Sequence, residues 1–76
     1  MASDLGISTV DATAEAITLA FGKNMVLNPA KIIAIMQREK GWRMAGSDKL
    51  RVEMKSADVV ARIENVRKVL QILQAA

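Results

Sequence analysis

Val59, Ile63, Val66, Leu70 and Leu73 recur at spacings of four, three, four and three. That is the period of one helix face, and Val60, Val69 and Ile72 widen it beyond a narrow coiled-coil seam. The pattern predicts a helix running to about Gln74, with Ser56 as its N-cap and Asp58 in its first turn. Asp58 with Arg62 and Glu64 with Lys68 stand four apart with the acid first. That is the favourable order for helix surface pairs, worth about 0.2–0.5 kcal/mol each. At about 1.5–3 kcal/mol per fully buried aliphatic side chain, this stripe is expected to be the largest single contribution to the core.

A second helix is predicted over about 29–40. Asn28 is suited to accept from a free first-turn amide, and Pro29 suits the first helical position because its missing N–H would have had no partner there. Leu27 and Ile32 stand at the two positions of a hydrophobic staple. Ile32, Ile35, Met36 and Glu39 share a face, so the buried stripe is expected to be Ile32, Ile35 and Met36 with Ile33 at its edge. Arg38 and Lys40 suit the last turn, and Gly41 suits the position just past the helix.

Alternation predicts strands elsewhere. Leu50, Val52 and Met54 alternate with Lys49, Arg51, Glu53 and Lys55, which is an antiparallel strand with one wet face. Trp42 to Met44 precedes it across the turn formers Ala45-Gly46-Ser47-Asp48, so the two segments read as a hairpin. Ile17, Leu19 and Phe21 alternate with Thr18 and Ala20, closed by Gly22-Lys23-Asn24. Leu5, Ile7 and Thr9 against Gly6, Ser8 and Val10 give a weaker strand, and Thr13-Ala14 turns the chain between the two. The order ββαββα implies a two-layer α+β domain, an antiparallel sheet with two amphipathic helices packed on one face. Residues 1–76 are expected to form one small domain, with residues 1–4 disordered.

Composition changes this picture little. A chain of 76 residues buries only roughly 60% of its unfolded surface, and 51% hydrophobic content is ample for a core. Trp42 and Phe21 are the aromatic residues, so the core must be aliphatic and Met-filled. With no Cys and no His, disulfide scaffolds, zinc fingers, thiol nucleophiles and His-based catalysis are excluded. No apolar run approaches a bilayer span and residues 1–4 do not resemble a secretory signal, so a cytoplasmic protein without membrane contact is expected.

Charge is uneven. Asp4, Asp11 and Glu15 against Lys23 leave residues 1–27 at −2, whereas ten Lys/Arg against five Asp/Glu leave residues 28–76 at +5. The basic strand face of Lys49, Arg51 and Lys55, with Trp42 and Arg43 nearby, is the candidate interaction site. Phosphates need Lys or Arg, and a Trp can stack on a base. Glu53 interrupts that patch, and a lone Trp is more often a packing residue. Gly41 to Gly46 has the glycine spacing of a phosphate loop, but Ser47 and Asp48 follow where the lysine is required, and a helix precedes it. No pair of carboxylates is placed to share a site. No catalytic, cofactor-binding or metal-ligating residue is therefore assigned, and this chain by itself is expected not to be an enzyme.

A set of segments occurs in a characteristic order. They are Leu5-Gly6-Ile7, the approach from Phe21 to Leu27, Asn28-Pro29-Ala30 with its Ile-rich helix, Arg43-Met44-Ala45-Gly46, Lys49-Leu50-Arg51, and Arg62 through Val66-Arg67 to Leu70. No single piece is specific, but the ordered set with its gaps resembles the end of the carboxy-terminal domain of the bacterial transcription-repair coupling factor, over about Leu5 to Leu73. That resemblance implies a parent that is an ATP-dependent double-stranded DNA translocase, using ATP and Mg. Such a parent displaces stalled RNA polymerase and recruits UvrA for nucleotide-excision repair. The domain resembled here is not the motor. It is an autoinhibitory clamp that packs on an amino-terminal module similar to UvrB, masks its UvrA-binding face and restrains the motor. Family members often carry Gly-Pro in the hairpin where this chain has Gly46-Ser47. The resemblance thus implies a non-catalytic regulatory module, and it assigns no functional residue to a numbered position. The alternative is a small basic nucleic-acid-binding module.

Overall fold

The structure is a computed structural model that describes residues 6–22 and 28–75. The expected roles of Leu5, Lys23, Asn24 and Leu27, and the expected disorder of residues 1–4, lie outside the described residues. The elements are β1 (Ile7–Ala12), β2 (Ala16–Phe21), α1 (Pro29–Arg38), β3 (Trp42–Met44), β4 (Lys49–Glu53) and α2 (Val59–Ala75). The strands form one antiparallel sheet in the spatial order β1-β2-β4-β3, and both helices contribute to the core on one face of it. This is the α+β architecture that the alternation predicts. No described helix is long and apolar enough to cross a membrane.

The sheet is organised around β2 and β4. Directly opposed residues share a face, so Ile17 meets Val52 and Leu19 meets Leu50 on the inner face. All four are fully buried. Trp42 beside Val52 and Met44 beside Leu50 continue these rows into β3. On the other side, Val10 opposes Leu19 and Ala12 opposes Ile17. The register shifts between Ile7 and Thr9. A bulge of this kind inserts a residue and reverses the alternation beyond it. Strict alternation would have put Ile7 and Thr9 together and Val10 opposite. The structure instead puts Ile7, Val10 and Ala12 on the inner face. At the turn, Thr13 Oγ1 accepts from the amides of Glu15 (3.2 Å) and Ala16 (3.1 Å), which is the local chemistry that closes the β1–β2 hairpin.

Helix α1 starts as expected, with Asn28 Oδ1 accepting from the Ala30 amide at 2.9 Å and Pro29 at the first position. Ile32 and Ile35 are buried, Met36 is half-buried and Ile33 lies exposed at the edge. The helix ends at Arg38, two residues short of the expected end, and the Glu39 amide donates to the Ile35 carbonyl in extended geometry. Gly41, with φ +81°, marks the entry into β3 rather than the helix end. Its carbonyl accepts from the Glu53 amide at 2.9 Å, and a Cβ there would stand 3.0 Å from the Glu53 carbonyl oxygen.

Helix α2 departs from expectation at its start. Asp58, not Ser56, is the N-cap: its Oδ1 accepts from the Ala61 amide at 2.8 Å and its carbonyl accepts from the Arg62 amide. Ser56 is buried, and its Oγ accepts from Asn65 Nδ2 at 2.9 Å. The same Asn65 amide group donates to the Lys55 carbonyl, and the Ser56 amide donates to the Ala14 carbonyl. These bonds tie the second turn of α2 to the exit of β4 and to the β1–β2 turn. Val69 and Leu73 are the fully buried residues of the helix. At 100° per residue, their direction lies roughly 60° from the centre of the Val59-Ile63-Val66-Leu70-Leu73 stripe. The helix is therefore rotated so that Arg62 and Asn65 turn toward the domain, while Val59, Val60 and Ile63 stay exposed. Among the described residues, the expected Asp58–Arg62 and Glu64–Lys68 ion pairs do not form, and the Asp58 carboxylate serves as the cap.

Two substitutions check these assignments by urea unfolding. Gly41→Ala forces a side chain into the left-handed region and against Glu53, so it is expected to cost at least about 1–2 kcal/mol. Asp58→Ala removes the cap and is expected to cost about 0.5–2 kcal/mol.

Candidate functional site

The outer face of the sheet carries most of the predicted site residues. One row across the four strands reads Asp11, Thr18, Arg51, Arg43, because each residue opposes the next in register. Lys49 lies beside Ala20 on the same face, and Glu53 lies beside Ala16. Arg43 forms an ion pair with Glu53. Lys55 lies just beyond the end of β4, and with Glu15, Arg51, Glu53 and Met54 it lines a shallow depression of about 430 Å³. Arg43, Lys49, Arg51 and Lys55 are thus brought together, but Asp11, Glu15 and Glu53 are interleaved with them. Trp42 is not among them. It is 7% exposed, on the inner face, packed in the core cluster. The strand alternation that turns Arg43 outward turns Trp42 inward, so the indole is not available to stack on a base beside the basic residues.

A second surface lies on the other side of the molecule, where α2 passes the inner face of edge strand β1. Ala12, Val59, Arg62, Ile63, Val66 and Arg67 line an open groove of about 330 Å³. Val59 is 60% exposed and Ile63 58% exposed, with Val60 beside them at 63%. Isolated exposed apolar side chains are ordinary, whereas contiguous ones with polar rims make a candidate contact surface. Arg62 adds a polar irregularity. Its Nε is buried and, among the described residues, has no hydrogen-bond partner. Buried donors are normally satisfied, so one left open beside an apolar groove calls for an explanation. A smaller groove of about 230 Å³ between α1 and the β3–β4 hairpin, lined by Pro29, Ile32, Ile33, Met36, Met44 and Ser47, carries no charge.

In sequence the α2 stripe suits burial against the sheet, with a protein-contact surface as the alternative for so wide a stripe. The stripe is continuous, and nothing local distinguishes Val59 from Leu73. The signal that separates them is the pair Arg62 and Asn65, polar residues on the side that continues Val69 and Leu73 toward the N-terminus.

No family model matches the chain, and comparison with curated proteins gives no match.

The mixed charge of the outer face has a measurable consequence. Duplex DNA is expected to bind more weakly than about 10⁻⁴ M at physiological salt, below ordinary non-specific affinity. Glu15→Gln together with Glu53→Gln is expected to tighten it, as fluorescence anisotropy would show. Tight binding by the unaltered chain would contradict this account of the face.

Proposed function

We propose that this chain is a non-catalytic regulatory interaction module, the terminal part of the carboxy-terminal domain of a bacterial transcription-repair coupling factor. Its work is to hold the UvrB-like amino-terminal module of the same parent, so that the UvrA-binding face is masked until RNA polymerase is engaged. The ordered resemblance from Leu5 to Leu73 supports the family part of this reading. In the fold, Asn28-Pro29-Ala30 opens α1, and Arg43-Met44-Ala45-Gly46 with Lys49-Leu50-Arg51 makes up most of the β3–β4 hairpin. Fold alone does not carry function, so the surface must.

One observation carries the interaction part: the exposed apolar run Val59, Val60 and Ile63 on α2, beside Arg62 and Arg67. Surfaces of this kind in small domains serve protein contacts. The outer sheet face, with its interleaved acids, gives the nucleic-acid alternative less support.

Calorimetric titration of the chain with the isolated amino-terminal module of the coupling factor from the same organism, at moderate salt, tests the reading. Duplex DNA serves as the parallel titrant. Binding to the module and not to DNA is the expected result. Binding to DNA alone, steeply weakened by salt, would replace the clamp with the nucleic-acid reading.

A further inference from the structure

The spacing of the open face of α2 specifies what kind of surface fits it. Val59, Ile63, Val66 and Leu70 fall on alternating a and d positions of a heptad, with Val59 and Val66 at d and Ile63 and Leu70 at a. Leu73, the next d position, is buried by the domain itself, while Val66 and Leu70 are half-buried and Val59 and Ile63 open. The seam is therefore closed by the sheet at one end and free at the other. In this register Arg62 occupies a g position and Arg67 an e position. These are the positions that choose partners in helix pairing. From Val59 to Leu70 the seam is about 16 Å long at 1.5 Å per residue, or about three turns.

We propose that this half-open seam docks an amphipathic helix of a partner protein whose flanking positions carry Glu or Asp. The apolar residues of that helix would fill the groove over Ala12, Val59, Ile63 and Val66, and its carboxylates would meet Arg62 and Arg67. Arg62 and Arg67 both line this groove, so carboxylates flanking the apolar face of the partner helix meet cations at its edge. A second copy of this chain does not fit the same charges. In a parallel pair the g position of one helix faces the e position of the next heptad on the other. That sets Arg62 against Arg67 twice. Like charges placed in this way disfavour association. In an antiparallel pair g meets g and e meets e, and because Val60, Arg62, Arg67, Val69 and Gln74 fill those positions, no register supplies a carboxylate to either arginine. The inference goes beyond the clamp reading and does not depend on which protein supplies the helix.

The test uses the full 76-residue chain, isotope-labelled for amide NMR. It is titrated with a terminally blocked two-heptad peptide carrying Leu at a and d and Glu at e and g. A peptide identical except for Lys at e and g is the control. Shift changes centred on Ala12, Val59, Ile63, Val66 and Arg67 with the glutamate peptide, and none with the lysine peptide, are expected. Ile63→Asp should abolish them. Arg67→Glu, at an exposed position that leaves the core untouched, should weaken the glutamate peptide about tenfold or more and admit the lysine peptide. Unchanged signals from these residues, or equal binding of both peptides, would overturn the proposal. So would self-association that Ile63→Asp removes. Titration of the UvrB-like module against the same Arg67→Glu variant separates the two readings. Unaltered module binding alongside lost peptide binding would leave the seam proposal standing and remove the α2 face as the support for the clamp reading.

Discussion

Across the β2–β4 ladder, Ile17 faces Val52 and Leu19 faces Leu50, all four withdrawn from water. Every other element leans on these two rows. β1 adds to the free edge of β2 and β3 to the free edge of β4, while the buried residues of α1 and α2 close over the same face. The pairing joins segments about thirty residues apart in the chain. It therefore requires closure of a long loop before it returns any burial, and the local hairpins β1–β2 and β3–β4 reduce that cost by forming from near neighbours. The bond from the Phe21 amide to the Asp48 carbonyl extends the same ladder into the β3–β4 turn, so the pairing also positions the hairpin tip.

The attitude of α2 is set by polar bonds as much as by its stripe. Ser56 and Asn65 form a buried hydrogen bond at the point where the chain leaves the sheet, and the Asn65 amide group is shared with the Lys55 carbonyl. Burying a serine hydroxyl without a partner is costly, so rotating the helix away from this bond would forfeit more than one contact. Rotation the other way would bring Val59 and Ile63 down but leave Ser56 and Asn65 unsatisfied. The domain settles with Val69 and Leu73 in the core and the N-terminal half of the stripe facing out. Arg62 is caught between, its stem toward the domain and its Nε unpaired among the described residues.

The two charged surfaces differ in kind. On the outer sheet face cations and acids alternate, Arg43 is committed to Glu53, and the ion pair is exposed, so its own contribution is at most about 1 kcal/mol. Around the α2 groove the arginines border apolar surface, where a partner's carboxylate would be partly desolvated and would count for more. That contrast is the physical basis for preferring a protein contact on α2 over a nucleic-acid contact on the sheet.

The sequence by itself determined the elements. Asn28-Pro29 determined where α1 begins, the Leu50-Val52 alternation determined a strand with one wet face, and Ala45 to Asp48 determined the turn between β3 and β4. These are local properties, written in the period of the side chains and the conformational preferences of a few residues. Tertiary structure alone decided the rest. The pairing that sets β4 between β2 and β3 places the sheet rows. The bulge near Ser8 reverses the faces of β1, and Asp58 takes the cap while Ser56 is drawn inward to Asn65. Which half of the α2 stripe is buried was likewise undecided, because period fixes a face but not what lies opposite it. Only once the sheet presents Ala12 and the Ser56 bond holds the helix does the half near Val59 and Ile63 remain open.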